Sequence, residues 1–384
     1  MDQLQQARAQ IDAIDAQMAA LFEERMHAVG QVAQYKQRTG KAVFDPAREK
    51  QVVERNTDRL TDEALKPYYR EFLESALSVS RAYQRALLGQ DVAAYQGVEG
   101  AWSHIALRRL FPQARPKAYA TWAEVCDAVE AGDAHCGVLP IENSNAGDVS
   151  GVLDLLYAHP ALRVVRMFDL PIRQDLLGVP GATLDGVRTV ISHQQALAQS
   201  SPFLRMHGLA TRVWGNTADA ARYVAEQGDP SLAAIASAET ADLYGLDILA
   251  EGVNEDGDNT TRFLVAQRAA PDEGPLRVLP GQRLALLFTV DHKPGKLAQV
   301  IQIIGERGFN METIKSRPLP HVQFEYYFYV QLICPEGSDP AGLIETLGAV
   351  CRTVRILGVF DHYNLYLCGR IPYEIDNAAR KPQL

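Results

Sequence analysis

Stepping alternately by three and four residues from Leu4 picks out Leu4, Ala7, Ile11, Ile14, Met18, Leu21, Arg25, Ala28, Val32 and Tyr35. That spacing is the apolar stripe of an amphipathic helix. It runs to about Arg38, roughly 55 Å at ~1.5 Å per residue. A rod of that length cannot bury its stripe against two shorter helices of the same chain, so a partner helix from a second copy is expected. One position breaks the pattern: Arg25 sets a permanent charge in the apolar seam.

The helical texture continues to about residue 90, with breaks near RTGKAVFDP and TDEALKP. Asp45, Pro46 and Glu49 read as the N-cap, first position and first-turn acid of a second helix. Gly89 ends a third. From Asp91 the period shortens. The strand candidates are VAAYQ, AHCGVLPI, LRVVRMF, RQDLLGV, VRTVI, LAAIA and DILA. Between them lie helical stretches such as TWAEVCDAVEAG, GDVSGVLDLLYAH, QALAQSSPFLRMHG and TADAARYVAEQG. The alternation predicts an α/β domain in two lobes, with a crossover near residues 170–180.

RAAPDEGPLRVLPGQ (268–282) reads as a linker. After it, strand, turn, helix and two strands are followed by a helix near DPAGLIETLGAVC and a strand near TVRILGVF. This is a βαββαβ, ferredoxin-like order. GRIPYEIDNAARKPQL at the end reads as a mostly disordered tail. The expected domains are thus 1–91, 92–269 and 282–361, which suits a chain of 384 residues.

Composition narrows the function classes. A net charge of −9 without a dense Lys/Arg block argues against nucleic acid as a partner. The five cysteines include no CxxC and no histidine pair has ligand spacing, so neither a metal nor a disulfide framework is expected. The N-terminus is polar and helical in pattern, unlike a signal peptide. No apolar run approaches the ~18 residues of a membrane span. A soluble, cytoplasmic protein with no membrane partner is the expectation.

Any anion site must then be built locally, and the first region offers one. Arg25 and Lys36 are eleven residues apart, so their helical directions differ by about 20° and their Cα atoms by ~16 Å. Arg8 lies ~25 Å from Arg25 on another face and reaches the same site only from an antiparallel partner chain. Arg48 sits in the first turn of the second helix, and Ser80 and Gln84 share a face of the third. Singly, such cations snorkel or pair with Glu23, Glu24 or Asp15 at the surface. Arg25 has no acid on its stripe, and burying an unpaired ion costs several kcal/mol. A bound anionic ligand resolves this.

The run ARAQIDAIDAQMAALFEERMHAVGQVAQYK…VFDPAREK resembles the AroQ-type chorismate mutases, which are all-helical intertwined dimers. The resemblance implies that Arg8 of the partner chain and Arg25 bind the substrate carboxylates. Lys36 and Gln84 would contact the ether oxygen, Asp45 and Glu49 would face the ring hydroxyl, and Arg48 and Ser80 would complete the wall. The implied reaction, chorismate to prephenate, needs no acid, base or covalent step. The protein holds the folded conformer and stabilises charge on the ether oxygen.

Four short motifs fall at strand ends farther on: GVEGAWSH (97–104), PIENSNAGDV (140–149), SHQQAL (192–197) and NTTRFLV (259–265). Singly they read as turns and N-caps; where a strand gives way to a helix, free N–H groups also attract anions. Together they resemble the prephenate dehydratases, a two-lobed fold like periplasmic binding proteins. TRF (Thr261, Arg262, Phe263) and IEN are intact, while the family's SHPQ reads Ser192, His193, Gln194, Gln195. The resemblance implies a Thr261 hydroxyl that orients the leaving group, with Glu142 or His193 as the proton source. Asn143, Ser144, Ser192, Gln195 and Arg262 are the further substrate contacts expected.

The βαββαβ segment resembles an ACT domain, a small-molecule sensor that pairs with its twin. The family's two phenylalanine-binding motifs would correspond to Gly295, Lys296 and Leu297 and to Ser316, Arg317 and Pro318, with Lys315 where the family has glutamate. A purely structural dimerisation module is the alternative for this segment. The whole then reads as a cofactor-free bifunctional enzyme of L-phenylalanine synthesis, feedback-inhibited by L-phenylalanine and a homodimer or higher homo-oligomer. The competing reading is a non-catalytic amino-acid sensor.

Overall fold

The computed structural model describes residues 3–255, 259–269, 276, 278–279, 281–320 and 322–364. The expected tail at 369–384 lies outside them, as does most of the expected linker. The chain forms two compact units, one chiefly residues 1–92 and the other chiefly the α/β and C-terminal regions.

The first unit has three α-helices among the described residues, α1 (Gln3–Thr39), α2 (Pro46–Thr57) and α3 (Lys66–Leu87), with a short 3-10 turn at Glu63–Leu65 leading into α3. The Asp45 carboxylate accepts from the Arg48 N–H at 3.0 Å and starts α2, with Pro46 in its first turn. Within one chain the stripe of α1 stays uncovered: Ile11 is 56% and Leu21 62% exposed. Each such side chain contributes about 1.5–3 kcal/mol when fully buried.

The second unit opens with β1 (Val92–Gln96), α4 (Trp102–Leu110), β2 (Arg115–Tyr119), α5 (Trp122–Ala131), β3 (Cys136–Asn143), β4 (Gly147–Asp148), α6 (Ser150–Ala158) and β5 (Leu162–Pro171). The chain then crosses to a second lobe. That lobe holds β6 (Asp175–Gly178), β7 (Thr189–His193), α7 (Gln194–Gln199), α8 (Ser201–Met206), β8 (Ala210–Trp214), α9 (Thr217–Gln227), β9 (Leu232–Ala236), α10 (Ala238–Tyr244) and β10 (Asp247–Ala250). It returns as β11 (Thr260–Arg268), which inserts antiparallel between β3 and β5. The first lobe's sheet runs β5-β11-β3-β1-β2, with β4 paired to β3, and the second lobe's runs β10-β6-β9-β7-β8.

The C-terminal region is β12 (Arg283–Thr289), α11 (Lys296–Glu306), β13 (Asn310–Pro318), β14 (Tyr326–Ile333), α12 (Pro340–Gly348) and β15 (Thr353–Phe360). Its sheet order is β13-β14-β12-β15, and β16 (His362–Asn364) then joins the first lobe beside β5. Alternation sorts the sheet's two faces. Leu284, Leu286, Phe288, Val330 and Leu332 pack under α11 and α12. Tyr327 and Tyr329 point the other way, toward the first lobe. There Tyr327 stacks on Tyr157 with ring centroids 4.4 Å apart and donates to Asp154 at 2.7 Å.

Gly358 shows how close that packing is, since a Cβ there would fall 1.9 Å from the carbonyl oxygen of Val164. Gly358→Ala should therefore destabilise the second unit by about 1–3 kcal/mol. A lowered thermal midpoint checks this, and an unchanged one would contradict the contact.

The lobes and the crossover follow the sequence pattern. The strands β2, β4, β8 and β11 do not; β4 takes the first two residues of the expected helical stretch GDVSGVLDLLYAH, and α6 begins at Ser150. β2 and β8 are sheet edges with mostly exposed residues, so they carry no apolar run. β11 starts on the two polar threonines of NTTRFLV and hides its strand behind that motif. The helical stretch from Gln195 divides at Ser200, ahead of Pro202, into α7 and α8.

Candidate active sites

In the helical unit the half-buried Arg25 reaches from α1 to α3. Its guanidinium donates to the Ser80 hydroxyl and, at 3.4 Å, to the Ala76 carbonyl. Among the described residues no carboxylate pairs with it. One turn beyond Ser80, Gln84 is buried, and its Oε1 has no hydrogen-bond partner. Lys36 donates to the Val43 carbonyl. Burial lowers its pKa below the ordinary 10.5, against the opposing pull of Asp45 and Glu49.

Glu49 is held by Arg81, whose guanidinium also lies 5.3 Å over the Phe44 ring. Asp45 is engaged as the α2 cap, and Arg48 turns to Gln51 at 2.6 Å. The structure thus gathers Arg25, Ser80 and Gln84, and sets Lys36 within Coulombic reach of Asp45 and Glu49. It does not bring Arg8 to them: Arg8 is exposed on α1. Sequence reasoning missed Arg81. Its signal was the i, i+3 spacing to Gln84, opposite an acid in need of a counter-charge.

In the α/β domain, strand alternation decides which groups share a face. Thr261 pairs across β11 and β3 with Asn143, and Arg262 with Glu142. The Asn143 Nδ2 donates to Thr261 Oγ1 and to Asn259 Oδ1, each at 2.9 Å. Its Oδ1 accepts from the backbone N–H of Asn145 at 3.1 Å and of Ala146 at 2.8 Å. Since those two N–H groups only donate, the orientation of the amide is fixed. Thr261 Oγ1 accepts from Asn143, so its own proton is left to point elsewhere. Ser144 locks the same corner, accepting from the Thr260 N–H at 3.0 Å.

Glu142 and Arg262 occupy the opposite face. Arg262 forks onto Asp169 at 2.8 and 3.1 Å and reaches Glu142 at 3.2 Å. Glu142 therefore does not stand beside Thr261, and the Arg262 guanidinium is engaged by protein carboxylates. The period-2 pleat accounts for both departures from expectation. Ser192 also departs: it is fully buried, and its hydroxyl donates to the Ile235 carbonyl at 2.6 Å inside the second lobe. The next residue, His193, is exposed. It caps α7 by accepting from the Gln195 N–H at 3.3 Å, and Gln195 is exposed beside it.

Three residues absent from the expected set, Asn259, Thr240 and Tyr244, support the site. Asn259, 2% exposed, accepts from Asn143 and donates to Gln199 of the second lobe at 3.2 Å. It stands inside the NTTRFLV motif, which was its signal. The GVEG segment is tied to α10, where Thr240 donates to the Gly100 carbonyl at 3.1 Å and Tyr244 to that of Glu99 at 2.9 Å.

In the C-terminal region Gly295 starts α11 with φ +81°, a backbone angle that favours glycine. Beside it lies a cavity of about 400 Å³, lined by His292, Pro294, Leu297, Tyr326 and Phe328 among others. Ser316 pairs with Phe328 and Pro318 with Tyr326, both cavity-lining. Lys296 extends to Gln299 at 3.3 Å. Arg317 departs from expectation: it faces the first lobe and forks onto Asp154 at 3.1 and 2.5 Å.

Comparison with known proteins places these arrangements. A family model described as chorismate mutase type II matches residues 7–85, and one described as prephenate dehydratase matches residues 93–271. The bifunctional chorismate mutase/prephenate dehydratase of Neisseria gonorrhoeae is 32% identical over 92% of this chain and 95% of its own. A solved structure of GqqA, described as a novel type of quorum quenching acylase, is 32% identical with a TM-score of 0.66, covering 72% of this chain and 99% of that one. Prephenate dehydratase from Arthrobacter aurescens, solved in complex with L-Phe, is 26% identical with a TM-score of 0.64, covering 70% of this chain and 90% of that one. The chain belongs to the bifunctional chorismate mutase/prephenate dehydratase family.

Proposed function

We propose that this chain rearranges chorismate to prephenate in its helical unit and converts prephenate to phenylpyruvate in its α/β domain. The observation that carries the reading is the presence in one chain of both the Arg25–Ser80–Gln84 cluster and the Asn143–Thr261 pair. In the first site Arg25 binds a carboxylate, while Lys36 and Gln84 donate to the ether oxygen as it gains charge. Arg8 arrives from a second copy, whose helix covers the exposed stripe of α1; a homodimer is therefore part of the reading. Because Lys36 acts in its charged form, mutase kcat/KM should fall as pH rises through a lysine pKa below 10.5. Lys36→Arg should move that fall to higher pH.

In the second site the ring carboxylate leaves as CO2, its bonding pair aromatises the ring, and the C4 hydroxyl departs. The free Thr261 proton hydrogen-bonds that hydroxyl, and Asn143 holds the threonine oxygen in place. With Glu142 on the other face, His193 is the remaining candidate to complete water from the departing hydroxide. Its Nδ1 is occupied as an acceptor, which leaves Nε2 to carry the proton.

L-phenylalanine is proposed as the regulator, bound at the cavity beside Gly295, in an ACT-type domain. The complex of the Arthrobacter relative with L-Phe supports that choice. No helix among the described residues is long and apolar enough to cross a membrane. Incubating the purified protein with chorismate, and separately with prephenate, tests the reading by ultraviolet absorbance. Phenylpyruvate should form from either. Its absence in both would favour the amino-acid sensor.

A further inference from the structure

The two arms of the β3–β4 hairpin carry a directly opposed pair of carboxylates, Glu142 and Asp148. Like charges in that position push the arms apart. One rung on, Asn143 ends β3 opposite Gly147, and the turn that follows begins at Ser144; both residues hold the Thr260–Thr261 corner. What sits against the two acids comes from a distant part of the chain: Lys315 of β13 reaches Glu142 at 3.1 Å and also pairs with Asp148. Its side chain is only 11% exposed. Arg262 completes the row from the other side, joining Asp169 to Glu142.

We propose that Lys315 is a positioning residue of the dehydratase site: by neutralising Glu142 and Asp148 together, it closes the hairpin that aims Asn143 at Thr261. The lysine touches no substrate and acts through the hairpin backbone from the face opposite Thr261. The C-terminal sheet is thereby a working part of the dehydratase, because its β13 supplies the charge that the hairpin lacks. This rests on the dehydratase reading above.

The test is steady-state dehydration of prephenate by the full-length protein. Lys315→Met keeps the stem and removes the charge; it should lower kcat about tenfold, the size of a small misplacement of the reacting groups, with little change in KM. Lys315→Arg should stay near wild type. Adding Asp148→Asn to Lys315→Met removes the repulsion and should restore most of kcat. Asp154→Asn serves as the control. It removes the charge and one of the two acceptors of the Arg317 fork at the same interface, and should lower the thermal midpoint with kcat unchanged.

A Lys315→Met enzyme with wild-type kcat would overturn the proposal. So would a failure of Asp148→Asn to rescue it, or an equal loss of kcat in Asp154→Asn. A wild-type protein without dehydratase activity would instead overturn the underlying reading.

Discussion

Arg25→Ala should cripple chorismate rearrangement, lowering kcat/KM by about two to four powers of ten, and leave prephenate dehydration unchanged. The size follows from what the side chain does: truncating one partner of a desolvated charge pair costs about 3–5 kcal/mol, and each 1.36 kcal/mol is tenfold in rate. A structural salt bridge would predict something else, namely loss of stability. Among the described residues Arg25 has the Ser80 hydroxyl and the Ala76 carbonyl as partners and no carboxylate, so no protein charge compensates this cation in the apolar seam. Arg25→Met should therefore raise the thermal midpoint of the helical unit while removing its activity. Such opposition of stability and function marks a residue kept for a ligand.

Thr261→Val should have the mirror effect, lowering dehydration by about a hundredfold or more while sparing the mutase, because a positioned donor to a departing oxygen contributes on that scale. Thr261→Ser should keep most of the activity. Valine matches threonine in shape, and Asn143 retains Asn259 and the Thr260 carbonyl as acceptors, so the strand corner stays assembled. Measured kcat for the two variants separates the hydroxyl's role from that of the methyl. A fast valine enzyme and a slow serine enzyme would contradict it.

The helical unit was largely legible because its information is local. Spacing of three and four fixes a stripe, Asp45 and Pro46 fix a start, and one arginine on the stripe exposes the site. The α/β site was legible as motifs but less so as geometry. Glu142 and Asn143 are neighbours in sequence, yet the pleat sends one to Lys315 and the other to Thr261. Which of the two faces a substrate depends on the register of β11 against β3, a pairing about 120 residues apart in the chain. The same holds for Arg317, where one position along β13 separates the cavity from the Asp154 contact. Ser192 sits in a strand buried on both sides, and only the position of β9 shows that its hydroxyl is already engaged.

The central claim is that one chain carries two separate sites, and mixing two damaged proteins tests it most directly. Arg25→Ala and Thr261→Val proteins are each given chorismate alone, then combined. The account predicts no phenylpyruvate from Arg25→Ala, accumulated prephenate from Thr261→Val, and phenylpyruvate from the mixture. A mixture that forms none, with each folded variant failing on both chorismate and prephenate, would show that the two reactions share one site.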